Sequence, residues 1–267
     1  MTRNDRPLSA RRAGGMTRRI HVATYNIHKG FSQFNRHLVI HELRERLRTL
    51  NPDILFLQEV QGVHTGHAAL YEDWPEAPQH EFLAQDVWAD SAYGSNALYD
   101  SGHHGNAVLS RFAILSYQNQ DISAHRLERR GLLHCQVAPP GWKEPLHCVC
   151  VHLGLTASSR RRQMAALAER MERLAPDGAP LIIAGDFNDW RNEAAGLLIE
   201  RLGLTEVFSA ASGEPARSFP SVLPVLRLDR VYTRGFEVER AAVYYGPPWS
   251  KISDHAVISA HLAVCRG

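Results

Sequence analysis

Seven runs in which apolar and β-branched residues follow one another or alternate between turn signals set the terms for any fold of this chain: Ile20 to Ile27, Ile54 to Val60, Leu132 to Val137, Leu146 to Leu153, Leu181 to Gly185, Leu226 to Thr233 and Ala256 to Val264. Runs of this kind read as β-strands. Two stretches read instead as helices. Val39, Leu43, Leu47 and Leu50 recur at spacings of four, four and three before Asn51-Pro52, with charged residues on the other faces. Met164, Leu167, Met171 and Leu174 recur at three, four and three after Ser158-Ser159 and before Pro176. Each stripe is the signature of core packing. Residues 61–105 hold a weaker pattern rich in His, Pro, Gly and Trp, and are expected to form a long irregular excursion that carries recognition. Strands covered by helices on their outer faces make an α/β fold in one domain, residues 20–267.

With 267 residues the chain can bury a large core without disulfides or structural metal. No stretch of about 18 apolar residues is present, and the N-terminus lacks an apolar secretory segment, so the expected location is cytoplasmic, with contact to a membrane surface at most. The formal charge of +2 is unevenly spread: residues 1–19 hold six arginines against Asp5, a surplus of five, so the remainder carries about −3. That remainder argues against a strongly basic surface for gripping long nucleic acid. Residues 1–19 are expected to be a basic disordered tail, with a tether for anionic lipid or nucleic acid as the alternative. Cys135, Cys148, Cys150 and Cys265 are too few and too irregular for a disulfide framework or a paired zinc site, and are expected to pack as small apolar residues.

Polar residues gather where the strands end, an economical way to build a site on rigid elements. Thr24-Tyr25-Asn26-Ile27-His28 closes the first strand and Gln58-Glu59-Val60 the second. Glu59 interrupts a strand that wants burial on both faces, so its carboxylate needs a cation, a hydrogen-bonding cluster or a salt bridge to an arginine. Gly185-Asp186-Phe187-Asn188 delivers a carboxylate and an amide two positions apart, aimed the same way by strand alternation. His152, Asp229 and Ser253-Asp254-His255 stand at three further strand ends. Arg160-Arg161-Arg162 falls in the first turn of the second helix, where cations oppose the helix dipole; either the three splay into water or a bound phosphate compensates.

In this order and in these strand contexts, Gln58-Glu59, Gly185-Asp186-Phe187-Asn188 and Ser253-Asp254-His255, supported by Gly105-Asn106-Ala107-Val108-Leu109-Ser110-Arg111, resemble the endonuclease-exonuclease-phosphatase superfamily over nearly all of Ile20 to Val264. The resemblance implies a four-layered α/β sandwich, two facing mixed sheets with helices outside, and a phosphodiesterase or phosphatase site at one end. It implies Mg²⁺, with Mn²⁺ as a substitute, held by Glu59 with Asn26 and Asp254, a set of hard oxygens that suits Mg²⁺ better than zinc. It assigns Asp186 to the attacking water, Asn188 to a phosphate oxygen or that water, and His255, held by Asp229, to the phosphoryl oxygen. His152 stands where abasic-site enzymes carry a tyrosine and the deoxyribonuclease and sphingomyelinase branches a histidine; His28 replaces the abasic-site aspartate. Both departures disfavour abasic-site repair. Asn106 is expected to reach substrate or a nearby water, and Arg130, in Glu128-Arg129-Arg130-Gly131, to bind substrate or form a surface ion pair with Glu128. Arg230 departs from the aromatic residue that many relatives carry after the dyad aspartate, and so competes for Asp229.

The implied function is metal-dependent hydrolysis of a phosphate ester, most directly a phosphodiester, from nucleic acid or from a phospholipid or other small molecule. The rival is a catalytically silent module that keeps the fold to bind phosphate or nucleic acid. The core set being complete favours the enzyme. Oligomeric state is not legible in the sequence.

Overall fold

In a computed structural model, residues 19–32, 37–125, 128–193 and 195–265 are described. Apart from Arg19, which opens the first strand and pairs with Glu239 at 2.8 Å, the basic tail expected over residues 1–19 lies outside them.

The chain builds one half, then the other. β1 (Arg19–Asn26), α1 (Ile40–Leu50), β2 (Ile54–His64), the short helices α2 (Thr65–Leu70) and α3 (Gln79–Ala84), β3 (Asp90–Tyr99) and β4 (Gly102–Ser110) come first. β5 (Ala113–Asp121), β6 (Gly131–Ala138), β7 (Leu146–His152), α4 (Ala157–Leu174), β8 (Leu181–Asp186), α5 (Ala195–Leu202), β9 (Thr205–Glu206), α6 (Val207–Ser212) and β10 (Asp229–Arg234) follow. β11 (Phe236–Tyr244) and β12 (Val257–Val264) then return to the first half. The result is two mixed six-stranded sheets, in the orders β11-β12-β1-β2-β4-β3 and β5-β6-β7-β8-β10-β9. Each contains one parallel pair, β1 with β2 and β7 with β8. Parallel neighbours need a long crossover, and α1 and α4 supply it.

Alternation along the central strands explains the four layers. Ile54 and Phe56 of β2 face Cys148 and Cys150 of β7 and Ile182 and Ala184 of β8 in a core between the sheets. The intervening Leu55 and Leu57 meet Ile40, Leu43 and Leu47 of α1, while Val149, Val151 and Ile183 meet Met164, Leu167 and Met171 of α4. Each such side chain contributes about 1.5–3 kcal/mol by leaving water. α1 ends as its sequence demands, with Asn51 in the left-handed conformation at φ 58°. α4 starts where the Thr156 side chain accepts from Ser159 N–H, two residues before the Ser158-Ser159 start read from the sequence. Cys135, Cys148 and Cys150 are free and buried among apolar residues, as expected.

The irregular excursion expected over residues 61–105 is not found. It holds the end of β2, α2, α3, all of β3 and the start of β4. These strands lie at one margin of their sheet, where small and polar residues satisfy the ladder without an apolar signature. β5 and β11, outermost strands on their sheets, went unread for the same reason. Among the described residues no helix is long and apolar enough to cross a membrane.

One backbone contact is decisive for the second sheet. Gly185 sits at φ +150°, and a Cβ there would lie 1.9 Å from the Val151 carbonyl oxygen across the parallel pair. Gly178 also has positive φ, +78°, but faces open space. Gly185→Ala should therefore cost about 3 kcal/mol or more, against about 1 kcal/mol for Gly178→Ala, read from urea midpoints. Equal losses at the two positions would contradict the close approach.

Candidate active site

Strand register gathers the polar strand ends. In the second sheet His152 is the register partner of Asp186 and Asp186 that of Asp229, so three functional groups stand side by side. In the first sheet Asn26 pairs with Gln58, and a register shift between Leu57 and Val60 brings Glu59 out of the ladder opposite the Gly105 and Asn106 end of β4. The turn entering β12 adds Asp254 and His255.

The two sets meet between the sheets. Asn26 Nδ2 donates to Asp186 Oδ2 at 3.2 Å and to Glu59 Oε1 at 3.4 Å. His255 Nδ1 lies 2.9 Å from Asp229 Oδ2, and its Nε2 lies 3.7 Å from Asp186 Oδ2. His152 Nε2 approaches the same Asp186 oxygen at 3.4 Å. Asn188 N–H donates to Asp186 Oδ1 at 3.0 Å, and its side-chain amide donates to Leu153 O at 2.9 Å. Ser253 Oγ donates to Asn26 O at 2.7 Å and contacts Asp254 Oδ1 at 3.4 Å, and His28 Nδ1 stands 3.6 Å from that same oxygen. Asn106 is fully buried, donating to Gly131 O and Cys150 O, with its Oδ1 unpartnered. Arg130 packs at the margin, donating to Leu153 O at 3.0 Å and to Glu128 Oε1 at 3.2 Å. Asn26, Glu59, His152, Asp186, Asn188, Asp229 and His255 thus form one connected cluster at the strand ends.

Burial sets the electrostatics. It raises the Asp186 carboxyl to about 7; the His255 charge opposes this and Asp229 adds to it. For His255 burial alone lowers the imidazole, but Asp229 and then Asp186 overcome it and lift it to about 10. His152 is driven the other way, well below its ordinary value, by burial and then by Arg130 and His255. Burial raises Glu59, but the charge of Lys29, followed by those of His28, His104 and His255, leaves it below the usual carboxylate range.

Backbone strain marks the same place. Of the seven non-glycine residues at positive φ among those described, four are His28, Lys29, Glu59 and Asn188, so the strain concentrates where the polar groups converge. Strain of this kind persists only where the surroundings impose it, and it clusters at functional sites.

Two groupings offer ligands to a cation. Asp186, Asp229 and His255 place ligand-type atoms within 4.8 Å of one another, but His255 Nδ1 and Asp229 Oδ2 are already joined to each other. Glu59 offers hard carboxylate oxygens at the same end, as does Asp254 beside His28, while Asn26 turns its amide nitrogen toward Glu59 and its Oδ1 accepts from His28 N–H. The Glu59 carboxylate lies 3.4 Å from the Asn26 amide nitrogen and 4.0 Å from the Lys29 ammonium, and the surrounding positive charge keeps it ionised. This donor set fits a small hard divalent ion.

Two sequence expectations are corrected. Arg160 neither splays into water nor points at the site: its guanidinium is buried, donating to Leu155 O at 2.6 Å and lying over the Trp190 ring, while Arg161 and Arg162 are exposed. Inward rotation brings the charge to the buried Asp189 carboxylate, with Nε 3.8 Å from its Oδ1, and to nearby backbone carbonyls and a ring face. Arg230 does not compete for the Asp229 carboxylate, because adjacent strand residues face opposite ways; its guanidinium donates to the backbone carbonyls of Arg227, Asp229 and Asp189. Two contributors were missed. Lys29 lies beside Glu59, and His104 stacks on Tyr99 with ring centroids 5.4 Å apart. His104 and Asn106 stand two apart on β4, a spacing that alternation makes readable.

The sequence profile of the Endonuclease/Exonuclease/phosphatase family matches residues 23–255. The chain belongs to this family. The Escherichia coli (strain K12) uncharacterized protein YbhP is 48% identical over 241 residues, which cover 90% of this chain and 95% of YbhP. Among solved structures, an endonuclease/exonuclease/phosphatase from Beutenbergia cavernae superposes with a TM-score of 0.73 at 18% identity, over 93% of this chain and 72% of that one. The human Nocturnin catalytic domain, solved with a bound sulfate anion, superposes with a TM-score of 0.72 at 18% identity, over 93% and 94%. These two establish the shared fold of the family's sandwich.

The charge states are directly measurable in metal-free protein. Since His255 is raised to about 10 and His152 lowered, imidazole nitrogen shifts should show His255 still charged at pH 8, well above the ordinary histidine value, and His152 neutral already at pH 6. Asp229→Asn removes the largest raising charge and should bring the His255 titration down toward neutrality. A neutral His255 at pH 8 in the unsubstituted chain would contradict the arrangement.

Proposed function

We propose that the chain is a divalent-metal-dependent hydrolase of phosphate esters, most directly a phosphodiesterase, working in the cytoplasm. The observation that carries this is the Asn26-bridged pair of Glu59 and Asp186 beside the Asp229–His255 couple, all at one end of the sandwich. A buried carboxylate raised to about 7 is poised to take a proton from water near neutral pH. Asn188 fixes Asp186 through its backbone N–H, and Asn26 holds its other oxygen. His255, kept charged between two carboxylates, supplies a donor to a phosphoryl oxygen, and Asp229 sets its ring orientation. His152, kept neutral, adds a second ring beside the reacting oxygens. Lys29 and Arg130 add positive charge at the margin, and the unpartnered Oδ1 of Asn106 is left for substrate or water.

Mg²⁺, or Mn²⁺ in its place, held by Glu59 with Asn26 and Asp254, would neutralise nonbridging phosphate oxygens and help the leaving oxygen depart. Three buried free thiols fit a reducing compartment. The substrate is a nucleotidyl ester or a phospholipid or other small diester. The lipid reading draws on the loop between Phe219 and Leu226, which stands against Asp254 and His255 and exposes Val222, Leu223 and Val225.

The purified chain should hydrolyse bis-p-nitrophenyl phosphate with Mg²⁺ or Mn²⁺ and stop on chelation. Asp186→Asn and His255→Ala should each lower kcat by about 10³-fold or more. Turnover that survives either substitution, or that ignores chelator, sinks the assigned roles, and no turnover at all leaves the silent binding module.

A further inference from the structure

Beside the catalytic groups lies a cavity of about 350 Å³ lined by Lys29, Phe31, Gln61, His64, His67, Tyr71 and Tyr99. That is near the lower end for ligand pockets and large enough for about one nucleoside-sized group. Its walls are mostly rings. His64 and His67 stack with centroids 3.6 Å apart, and Phe31 meets His67 at 5.0 Å and Tyr71 at 5.2 Å. Tyr99, at the end of β3 and 55% exposed, leans on His104. Burial raises the Tyr99 phenol and so does the Glu59 charge, with Arg130 opposing, which places Tyr99 on the border between this cavity and the catalytic groups. Lys29 is shared by both, since its ammonium stands 4.0 Å from Glu59.

The chemistry of the lining selects among occupants. A polyol ring needs several free donors and acceptors, but the Gln61 Oε1 is engaged by His67 Nδ1 at 3.1 Å and its backbone N–H by Gln79. An inositol polyphosphate needs several cations, and among the described residues Lys29 is the only lysine or arginine in the lining. A quaternary ammonium head group would find rings to its liking but would be repelled by that same lysine. An acyl chain would strip water from imidazole, phenol and amide edges without replacing it. A nucleobase satisfies all of these: a flat face for the rings, a polar edge for imidazole and phenol, and a phosphate within reach of Lys29. Burial, then His64 and Lys29, lowers the His67 imidazole; with its Nδ1–H donating to Gln61 Oε1, the uncharged ring keeps Nε2 as an acceptor for a base N–H.

We infer that this cavity binds the nucleobase next to the scissile phosphate, so that the substrate is a nucleotidyl ester with one base seated among Phe31, His64, His67, Tyr71 and Tyr99. The inference rests on the phosphoester reading of the neighbouring site, because it requires a phosphate between Lys29 and the catalytic carboxylates. A cavity for one base suits a dinucleotide or a chain end.

Calorimetric titration of the full chain with thymidine 5′-monophosphate and, separately, glycerol 3-phosphate in the presence of Mg²⁺ tests this without needing turnover. The nucleotide should bind at least tenfold tighter, within the roughly five- to 150-fold that one stacked base supplies. Tyr99→Ala and His67→Ala should each shrink that preference severalfold, and Tyr117→Ala, an exposed ring on β5, should leave it as in the unsubstituted chain. Equal affinities for the two phosphates, or tighter binding of phosphocholine or an inositol phosphate than of the nucleotide, would overturn the assignment. A chain that prefers the nucleotide through Tyr99 yet hydrolyses no ester keeps this pocket and loses the hydrolytic reading; one that hydrolyses esters without the preference does the reverse.

Discussion

The His255 imidazole, reaching from the first sheet to two buried carboxylates of the second, is the interaction on which the rest of the active end depends. Asp186 and Asp229 lie side by side on neighbouring strands, both almost fully buried, and two like charges there would repel in a poorly screened interior. A charged ring between them resolves the conflict. It also ties the turn before β12 to β8 and β10, so the sheets are held together at their polar end by charge as they are elsewhere by Phe56, Cys150, Ile182 and Ala184.

The same arrangement separates the roles of chemically similar groups. Two histidines within reach of one Asp186 oxygen are pushed in opposite directions, His255 kept charged by Asp229 and His152 kept neutral by burial next to Arg130. Two carboxylates bridged by Asn26 diverge as well, Asp186 raised in its buried slot and Glu59 lowered beside Lys29. In the proposed reaction the first would serve as a base and the second as a permanent anion. The positive φ at Glu59 and Asn188 shows that the backbone, and not just rotamer choice, is committed to these positions.

Central strands were legible because burial on both faces leaves little but Val, Ile, Leu, Phe and Cys at those positions, and because a carboxylate or amide at the end of such a run is costly without a purpose. That logic recovered β1, β2, β6, β7, β8, β10 and β12, and with them Asn26, Glu59, Asp186 and His255. It failed for β3, β5 and β11, which lie at sheet margins where water satisfies polar side chains, and for the β3–β4 hairpin that delivers Tyr99 and His104. Arg160 was misread for a different reason. Local sequence shows the unfavourable helix start but not the Asp189 carboxylate and the Trp190 ring that tertiary folding brings to it. Arg230 likewise needed the strand's facing, not its adjacency to Asp229.

The central claim is that polar side chains from both sheets converge to hold one hard divalent cation at Glu59. Thermal unfolding of the chain with and without Mg²⁺ tests it directly, because a ligand that binds only the folded state raises Tm as its concentration exceeds Kd. Millimolar Mg²⁺ should raise Tm by several degrees in the unsubstituted chain and by far less in Glu59→Gln, with the two folding alike in its absence. An equal rise in both, or none in either, would contradict the account.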